Sequence, residues 1–370
     1  MKITLVISSL SCGGAERVLV LLAKGFTERG YEVSVVTLSG KDTDFYKLPE
    51  GVSRLALAIM KKSPTPFHSL WNNLTRCLIL RQEIQATQPD VVISFMTHIN
   101  ILTLLSLIKT SYPVIVTEHC DPTMSSYGKK IEKLRIFIYP KAAKLVSVSK
   151  GVDAYFDWLP KRKKSVIYNP LVLIENEQEQ PDFLECFDPN KQWIVSMGRL
   201  NNQKGFDLLL SAFSKIADRY PDWNLLILGE GEIRQQLEKI RDDLGLANRA
   251  ILPGNISNPF PTLRRAQLFV MASRFEGFPM VHGEAMACGL PIISTDCPSG
   301  PREIIRNSLD GILVPNGDVS ALATAMERLM SDPQERKRLA TYAPEVTERF
   351  SLEKVMAEWQ LLISEVIQEK

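Results

Sequence analysis

Apolar positions along the chain switch repeatedly between two spacings. Short, largely β-branched runs lie at Lys2–Ser8, Glu32–Leu38, Asp90–Phe95, Val114–Thr117, Leu145–Val148 and Ser165–Tyr168. Between them come stretches of helical period, such as Ala15–Arg29 with Val18, Leu19, Leu22 and Phe26, then Leu70–Gln85 and Ile99–Lys109. A second series follows, with strands predicted at Trp193–Met197, Trp223–Leu228, Ala250–Leu252, Leu268–Met271, Pro291–Ser294 and Gly311–Val314. Its helices are predicted over Phe206–Tyr220, from Gly229-Glu230-Gly231 to Leu244, and over Val319–Met330, Pro333–Tyr342 and Leu352–Val366. Strands alternating with helices in this way predict α/β domains with parallel sheets. The segment Leu171–Gln192 is acidic, polar and aperiodic, so it reads as a linker. The expected organisation is a first domain over 1–170, a linker over 171–192, a second domain over 193–351 and a last helix over about 352–368.

Length agrees, since 370 residues exceed what one core usually organises. A hydrophobic content of 45% with 23% charged residues is that of a soluble globular chain. The net charge of +2 conceals an asymmetry: residues 1–170 hold 23 Lys and Arg against 13 Asp and Glu, whereas residues 171–370 hold 21 against 29. A basic front half suits an anionic partner such as phospholipid headgroups or a lipid diphosphate. The segment Lys129–Lys144, with Lys129, Lys130, Lys133, Arg135, Lys141 and Lys144 among Leu134, Ile136, Phe137, Ile138 and Tyr139, would lie on an anionic bilayer or pack as an ordinary amphipathic helix. Lys161–Lys164 adds a dense basic patch. Nucleic acid is disfavoured, because no recognition motif accompanies the charge. The six cysteines form no CxxC pair, which fits a reduced, cytoplasmic chain. The apolar run after Met1-Lys2 is too short for a signal segment, and Ile99–Ile108 is half a membrane span.

Candidate chemistry concentrates in Met271–Ile305. Glu276 sits in a Gly/Pro turn, Glu276-Gly277-Phe278-Pro279, and Glu284 lies in a helical run, Met280–Cys288, that Gly289 would end. A loop acid followed by a helix N-terminus suits an anionic ligand that also carries hydroxyls. In the front half, Gly13-Gly14 follow the first strand, and Glu118-His119-Cys120 follow the strand Val114–Thr117; these are the ends at which open α/β sheets place ligands. Asp42-Thr43-Asp44 has the spacing of a metal-holding acid pair but lies in a polar loop, and no metal site is assigned to it.

With these residues in view, the chain resembles the retaining GT-B glycosyltransferases of family 4. The resemblance is carried by Gly198-Arg199-Leu200, Lys204-Gly205, Gly229-Glu230-Gly231 and the Glu-x7-Glu pair Glu276 and Glu284, with Gly13-Gly14-Ala15-Glu16 and Glu118-His119 in front. It covers nearly the whole chain. Gly300-Pro301-Arg302-Glu303-Ile304 is similar to members that build bacterial lipid-linked glycans, while Cys120 departs from the Asn common after the family's Glu-His.

The resemblance implies two Rossmann-like, doubly wound parallel-sheet domains facing a central cleft. It implies a nucleotide-sugar donor, expected to be UDP-linked, an N-acetylhexosamine or hexose transferred to a lipid-linked glycan acceptor, and no metal or other cofactor. Arg199 and Lys204 would hold the diphosphate, Glu284 the ribose, Glu276 the sugar hydroxyls, and His119 would touch the donor sugar. Gly14, Gly198, Gly229, Gly231, Gly254, Asn255, Gly277, Phe278, Pro279, Met280 and Val281 would complete the donor site, and His282 is expected to be packing. The last helix is expected to return to the front domain, and the protein to sit peripherally on the inner face of the cytoplasmic membrane. The competing readings are a UDP-sugar 2-epimerase of the same architecture and a non-catalytic sugar-nucleotide-binding membrane scaffold.

Overall fold

The structure, a computed structural model, describes residues 1–60, 66–122, 128–172, 188, 190–256 and 258–369. It divides into two compact units, one formed by Met1–Pro170 with Ser351–Lys370, the other by Leu171–Phe350. Most of the expected linker, residues 173–187 and 189, lies outside the described residues.

The first unit is built on seven parallel strands: β1 (Lys2–Ile7), β2 (Glu32–Thr37), β3 (Ser53–Ala56), β4 (Val91–Phe95), β5 (Val114–Glu118), β6 (Lys144–Ser147) and β7 (Lys164–Val166), in the order β3-β2-β1-β4-β5-β6-β7. Helices α1 (Gly14–Glu28), α2 (Pro66–Ala86), α3 (Thr97–Ser106) and α4 (Gly128–Ile138) connect them. The strands read as continuous apolar runs because both sheet faces are covered; Ile3, Leu5, Val6 and Ile7 of β1 are all buried. Strand order reverses at β1, which pairs with β2 on one side and β4 on the other, so the loops after β1 and β4 flank the switch point. The carboxyl-terminal helix Leu352–Gln368 packs on α1. Trp359 meets Phe26 edge to face at 6.4 Å, and Gln360 donates to the Tyr31 hydroxyl at 3.0 Å. Gly25 makes room for that helix, since a Cβ there would stand 2.6 Å from Met356 Sδ.

The second unit has six parallel strands: β8 (Gln192–Met197), β9 (Trp223–Leu228), β10 (Ala250–Gly254), β11 (Leu268–Met271), β12 (Ile292–Asp296) and β13 (Gly311–Pro315), in the order β10-β9-β8-β11-β12-β13. Here the order reverses at β8. Phe206, Leu209, Leu210 and Phe213 from the helix Phe206–Ser214 pack with Leu225, Ile227 and Val270 as its core.

Five details differ from the pattern in the sequence. Strand β3 was not expected; at the sheet edge its Ser53 is exposed and its other residues only half-buried, so they carry no apolar run. The helix expected over Phe206–Tyr220 stops at Ser214. Arg249 Nη2 takes the carbonyls of Tyr220 at 2.7 Å and Ala217 at 3.4 Å, leaving a short 3-10 turn at Ala217–Arg219. Arg135 and Lys144, expected among the cations of a surface segment, are buried: Arg135 points to Glu132 and Tyr155, and Lys144 reaches the Arg162 carbonyl at 2.9 Å. In the Lys161–Lys164 patch, Lys164 is paired with Asp153 at 3.0 Å and Asp157 at 2.7 Å. Asp44 likewise binds Arg54 through both oxygens, at 2.9 and 3.0 Å.

Candidate active site

In the second unit the expected residues gather at the carboxyl ends of the strands flanking the switch point. The loop after β8 carries Gly198, Arg199, Lys204 and Gly205, and the loop after β11 carries Ser273, Glu276, Gly277, Phe278 and Pro279. β8 and β11 are neighbours, so parallel pairing brings the two loops together.

Lys204 Nζ lies 2.7 Å from Glu276 Oε1. The lysine stem reaches it by crossing Gly198, where a Cβ would stand 3.2 Å from Lys204 Cε. Asn201 accepts from the Lys204 amide at 3.3 Å and closes the short turn Asn202–Lys204, after which Gly205 takes φ 62°. No side chain fits at Gly205, because a Cβ would run into the Ala272 carbonyl. Glu276 is 4% exposed and also receives the Ser273 hydroxyl at 2.6 Å, while its own carbonyl accepts from Ser299. Thr295 donates to the Ser273 carbonyl at 2.6 Å, and Gly300 presses on the turn, with a Cβ there 2.6 Å from Pro279 Cδ. Glu276 is therefore held from three loops. Ser273, Thr295 and Ser299 have no signature of their own; the nearest signal was the adjoining Gly300-Pro301 motif.

Arg199 behaves differently. Its side chain is 71% exposed and pairs loosely with Glu232 at 3.3 Å, so it can turn to a ligand at little cost. Gly229, Gly231 and Gly254 bring β9 and β10 loops against this region: Gly229 N donates to Gly254 O at 2.8 Å, and Leu200 N to Glu230 O at 2.8 Å. Asn255 beside them is exposed.

The helix Met280–Ala287 follows Pro279, and Gly289 ends it at φ 79°. Met280 and Glu284 are buried and Val281 is half-buried, while Phe278 meets Phe350 edge to face at 5.2 Å. Burial pushes the Cys297 thiol up to about 12, with the Glu276 charge adding to it, so it stays protonated and is no nucleophile.

His282 is fully buried against Phe269, and neither ring nitrogen meets a partner among the described residues. Burial lowers its pKa to about 3, with Lys204 contributing in the same direction. An unfolded histidine titrates near 6.5, so the unfolded chain binds the extra proton first. His282 thus has no cost above pH 6.5 and destabilises progressively as pH falls from 6.5 towards 3, by about 2 kcal/mol at pH 5. Urea midpoints at pH 7.5 and 5 should fall less in His282→Leu than in wild type; equal falls would show that His282 does not carry this term.

In the first unit, the two expected residues follow β1 and β5, two strands on either side of β4. Gly14 opens α1, and a Cβ there would meet no protein atom; Gly13 is different, with Glu16 folded over it and its Cδ 2.9 Å from where a Cβ would be. His119 stacks on Phe95 at 5.4 Å, with Nε2 3.0 Å from the Thr117 hydroxyl. Burial lowers its pKa to about 3, so the ring is neutral.

The chain is similar to known proteins over most of its length. Residues 12–173 match Glycosyltransferase Family 4, and residues 178–346 match Glycosyl transferases group 1. The chain is 28% identical over 369 residues to a Campylobacter jejuni alpha-1,4-N-acetyl-D-galactosaminyltransferase whose name specifies a glycan on PP-undecaprenol, covering 99% of each. Among solved structures it is similar to a Thermosynechococcus elongatus sucrose-phosphate synthase, with TM-score 0.84, 18% identity and 100% coverage of both chains. It is also similar to an Anabaena protein in complex with UDP and glucose, with TM-score 0.80 and 18% identity over 99% of this chain and 100% of that one. The two families together account for both units in chain order, and the chain belongs to the GT-B glycosyltransferases, with a family 4 amino-terminal domain and a group 1 carboxyl-terminal domain.

Proposed function

We propose that this glycosyltransferase moves an N-acetylhexosamine or hexose from a UDP donor to a lipid-linked glycan precursor, with retention of anomeric configuration and without a metal. The observation that carries the reading is the Lys204–Glu276 contact at 2.7 Å beside the exposed Arg199. A cation on a sheltered carboxylate, with a second, exposed cation on the same loop, is what a sugar diphosphate asks for, and the two supply the charge that a metal would otherwise bring. Glu284 holds the ribose hydroxyls in this reading. The lipid-linked acceptor is supported by the Campylobacter relative's name, and UDP by the Anabaena complex.

On donor binding, Lys204 and Arg199 stabilise the charge that grows on the departing phosphate. The acceptor hydroxyl attacks the anomeric carbon on the face that phosphate leaves, the carbon–oxygen bond to phosphate breaks, and the hydroxyl proton passes to the released phosphate oxygen. Glu276, already held by Lys204, Ser273 and Ser299, orients the sugar and does not attack it. Release of UDP against GDP should be followed with N-acetylhexosamine and hexose donors and a lipid diphosphate extract. The expected result is acceptor-dependent UDP release with an α-linked product from an α-linked donor. An inverted product, a glycosyl group trapped on Glu276, or activity abolished by chelator would each overturn part of the reading.

Membrane attachment is the second half of the proposal. The outward face of α4 carries Lys129, Lys130, Lys133, Ile136 and Phe137, the last 69% exposed. On α2 the outward residues include Trp71, Leu74 and Leu78, with Trp71 64% exposed, and both helices pack against α3. Lysines beside exposed large apolar groups suit an anionic bilayer. No described helix is long and apolar enough to cross a membrane. Flotation with phosphatidylglycerol vesicles should show binding that salt weakens and that Phe137→Glu reduces about tenfold. Equal binding by the variant, or indifference to salt, would refute this surface.

A further inference from the structure

Glu118 ends β5 as a buried carboxylate to which the proposed chemistry gives no task. Three neutral groups donate to it: the Thr97 hydroxyl, 2.8 and 3.0 Å from its two oxygens, Asn100 Nδ2 at 3.4 Å, and the Tyr139 hydroxyl. Burial raises its pKa, and these donors together with nearby Arg135 oppose that rise. An apolar side chain would fill the same space more cheaply.

The donors tie two loop ends together. Thr97 and Asn100 open α3 directly after Met96, whose φ of 75° is one that a residue bearing a Cβ seldom adopts. Asn100 Nδ2 also donates to the Thr117 carbonyl at 2.8 Å, the Met96 amide reaches the same carbonyl at 3.1 Å, and the Asn100 amide returns to the Met96 carbonyl at 2.9 Å. The β4–α3 turn and the end of β5 are therefore one hydrogen-bonded block.

That block fixes the chemistry of the next residue. The Thr117 hydroxyl has one hydrogen, and it goes to the Ser94 carbonyl at 2.9 Å. Its oxygen, 3.0 Å from His119 Nε2, is left to accept, so Nε2 carries the ring's proton. Nδ1 is then a bare acceptor, buried and without a donor among the described residues. The opposite tautomer would strand a buried N–H, which is tolerated less well than an idle lone pair.

We propose that Glu118 and Thr117 are positioning residues for transfer: Glu118 pins the β4–α3 turn to the end of β5, and Thr117 holds His119 as its Nε2–H tautomer with Nδ1 offered to a sugar hydroxyl. This rests on the reading of His119 as a sugar contact.

The test uses full-length protein with UDP-N-acetylglucosamine and UDP-N-acetylgalactosamine and a lipid diphosphate extract, comparing Thr117→Ser, Thr117→Val, Glu118→Gln and His119→Ala. Ring nitrogen NMR, with His119 assigned from its loss in His119→Ala, should show protonated Nε2 in wild type and Thr117→Ser and a mixture in Thr117→Val. Thr117→Val should lose about tenfold or more in kcat/KM and Thr117→Ser less than about threefold. Glu118→Gln should lower kcat/KM about tenfold in the wild-type background but less than about twofold on top of His119→Ala. Should Glu118→Gln fail to fold, Tyr139→Phe replaces it, because it removes one hydrogen from the carboxylate and keeps the ring stacked on Phe156. A protonated Nδ1 in wild type, equal activity of the two Thr117 variants, or equal losses in both His119 backgrounds would overturn the proposal while leaving the His119 reading intact. Full activity of His119→Ala would sink both.

Discussion

Lys204→Ala is expected to lower kcat by about 10²–10³ and, separately, to destabilise the carboxyl-terminal unit by about 3 kcal/mol. The first effect follows from the proposed chemistry: the Lys204 ammonium stabilises charge on the leaving phosphate, and such preorganised groups dominate catalysis. The second follows from burial. Glu276 is 4% exposed, and without Lys204 its charge keeps only the Ser273 hydroxyl as a side-chain donor among the described residues. Breaking one side of a buried pair costs more than the pair itself contributes. The two effects separate in Lys204→Met with Glu276→Gln, which should recover most of the urea midpoint and none of the activity. Arg199 gives the opposite pattern. Its side chain is 71% exposed and its partner Glu232 lies at 3.3 Å, so Arg199→Ala should cost activity with less than about 0.5 kcal/mol of stability. If Lys204→Ala keeps normal turnover, the phosphate role is wrong; if it unfolds no earlier than wild type, the Glu276 charge is less dependent on it than the geometry implies.

What the chain discloses and what it hides divide along a physical line. Arg199 and Lys204 are named by the family resemblance and Glu276 by its Gly/Pro turn, and all three follow strands whose parallel pairing delivers their loops to one edge. The groups that hold Glu276 were not. Ser299 lies 23 positions away, and Ser273 is an ordinary small polar residue until the fold turns it inward. The same blindness affected charge. Counting Arg135 and Lys144 as surface cations overlooked that each has oxygen partners waiting inside the unit, at Glu132 and at the Arg162 carbonyl. Strand β3 escapes the pattern because an edge strand of one exposed and three half-buried residues has no apolar period to show. The sequence marks His282 as packing, and the structure buries it completely. Tertiary partners, unlike periods, leave no mark in local sequence.

The glycines expected to border the donor separate into two kinds, and the separation yields the last expected result. Gly229 has φ 139°, and a Cβ on it would run into the Gly198 carbonyl at the start of the loop that carries Arg199 and Lys204. Gly229→Ala must therefore strain its own backbone and push that loop aside, at a combined cost of about 3–5 kcal/mol. Shifting Lys204 relative to Glu276 should also cost about tenfold or more in kcat/KM, since small misplacements of catalytic groups are expensive. Gly14 is the counterpart. A Cβ there meets no protein atom, and alanine at the first turn of α1 should leave stability unchanged or raise it by up to about 1 kcal/mol. If Gly14 borders the donor as the resemblance implies, what the missing methyl spares is approach by a ligand, so Gly14→Ala should weaken UDP binding by calorimetry while melting no earlier than wild type. Gly229→Ala should lose stability and binding together. Normal UDP affinity in Gly14→Ala would remove that residue from the donor site, and normal stability in Gly229→Ala would show that the loop after β8 yields more easily than its close packing against β9 and β10 implies.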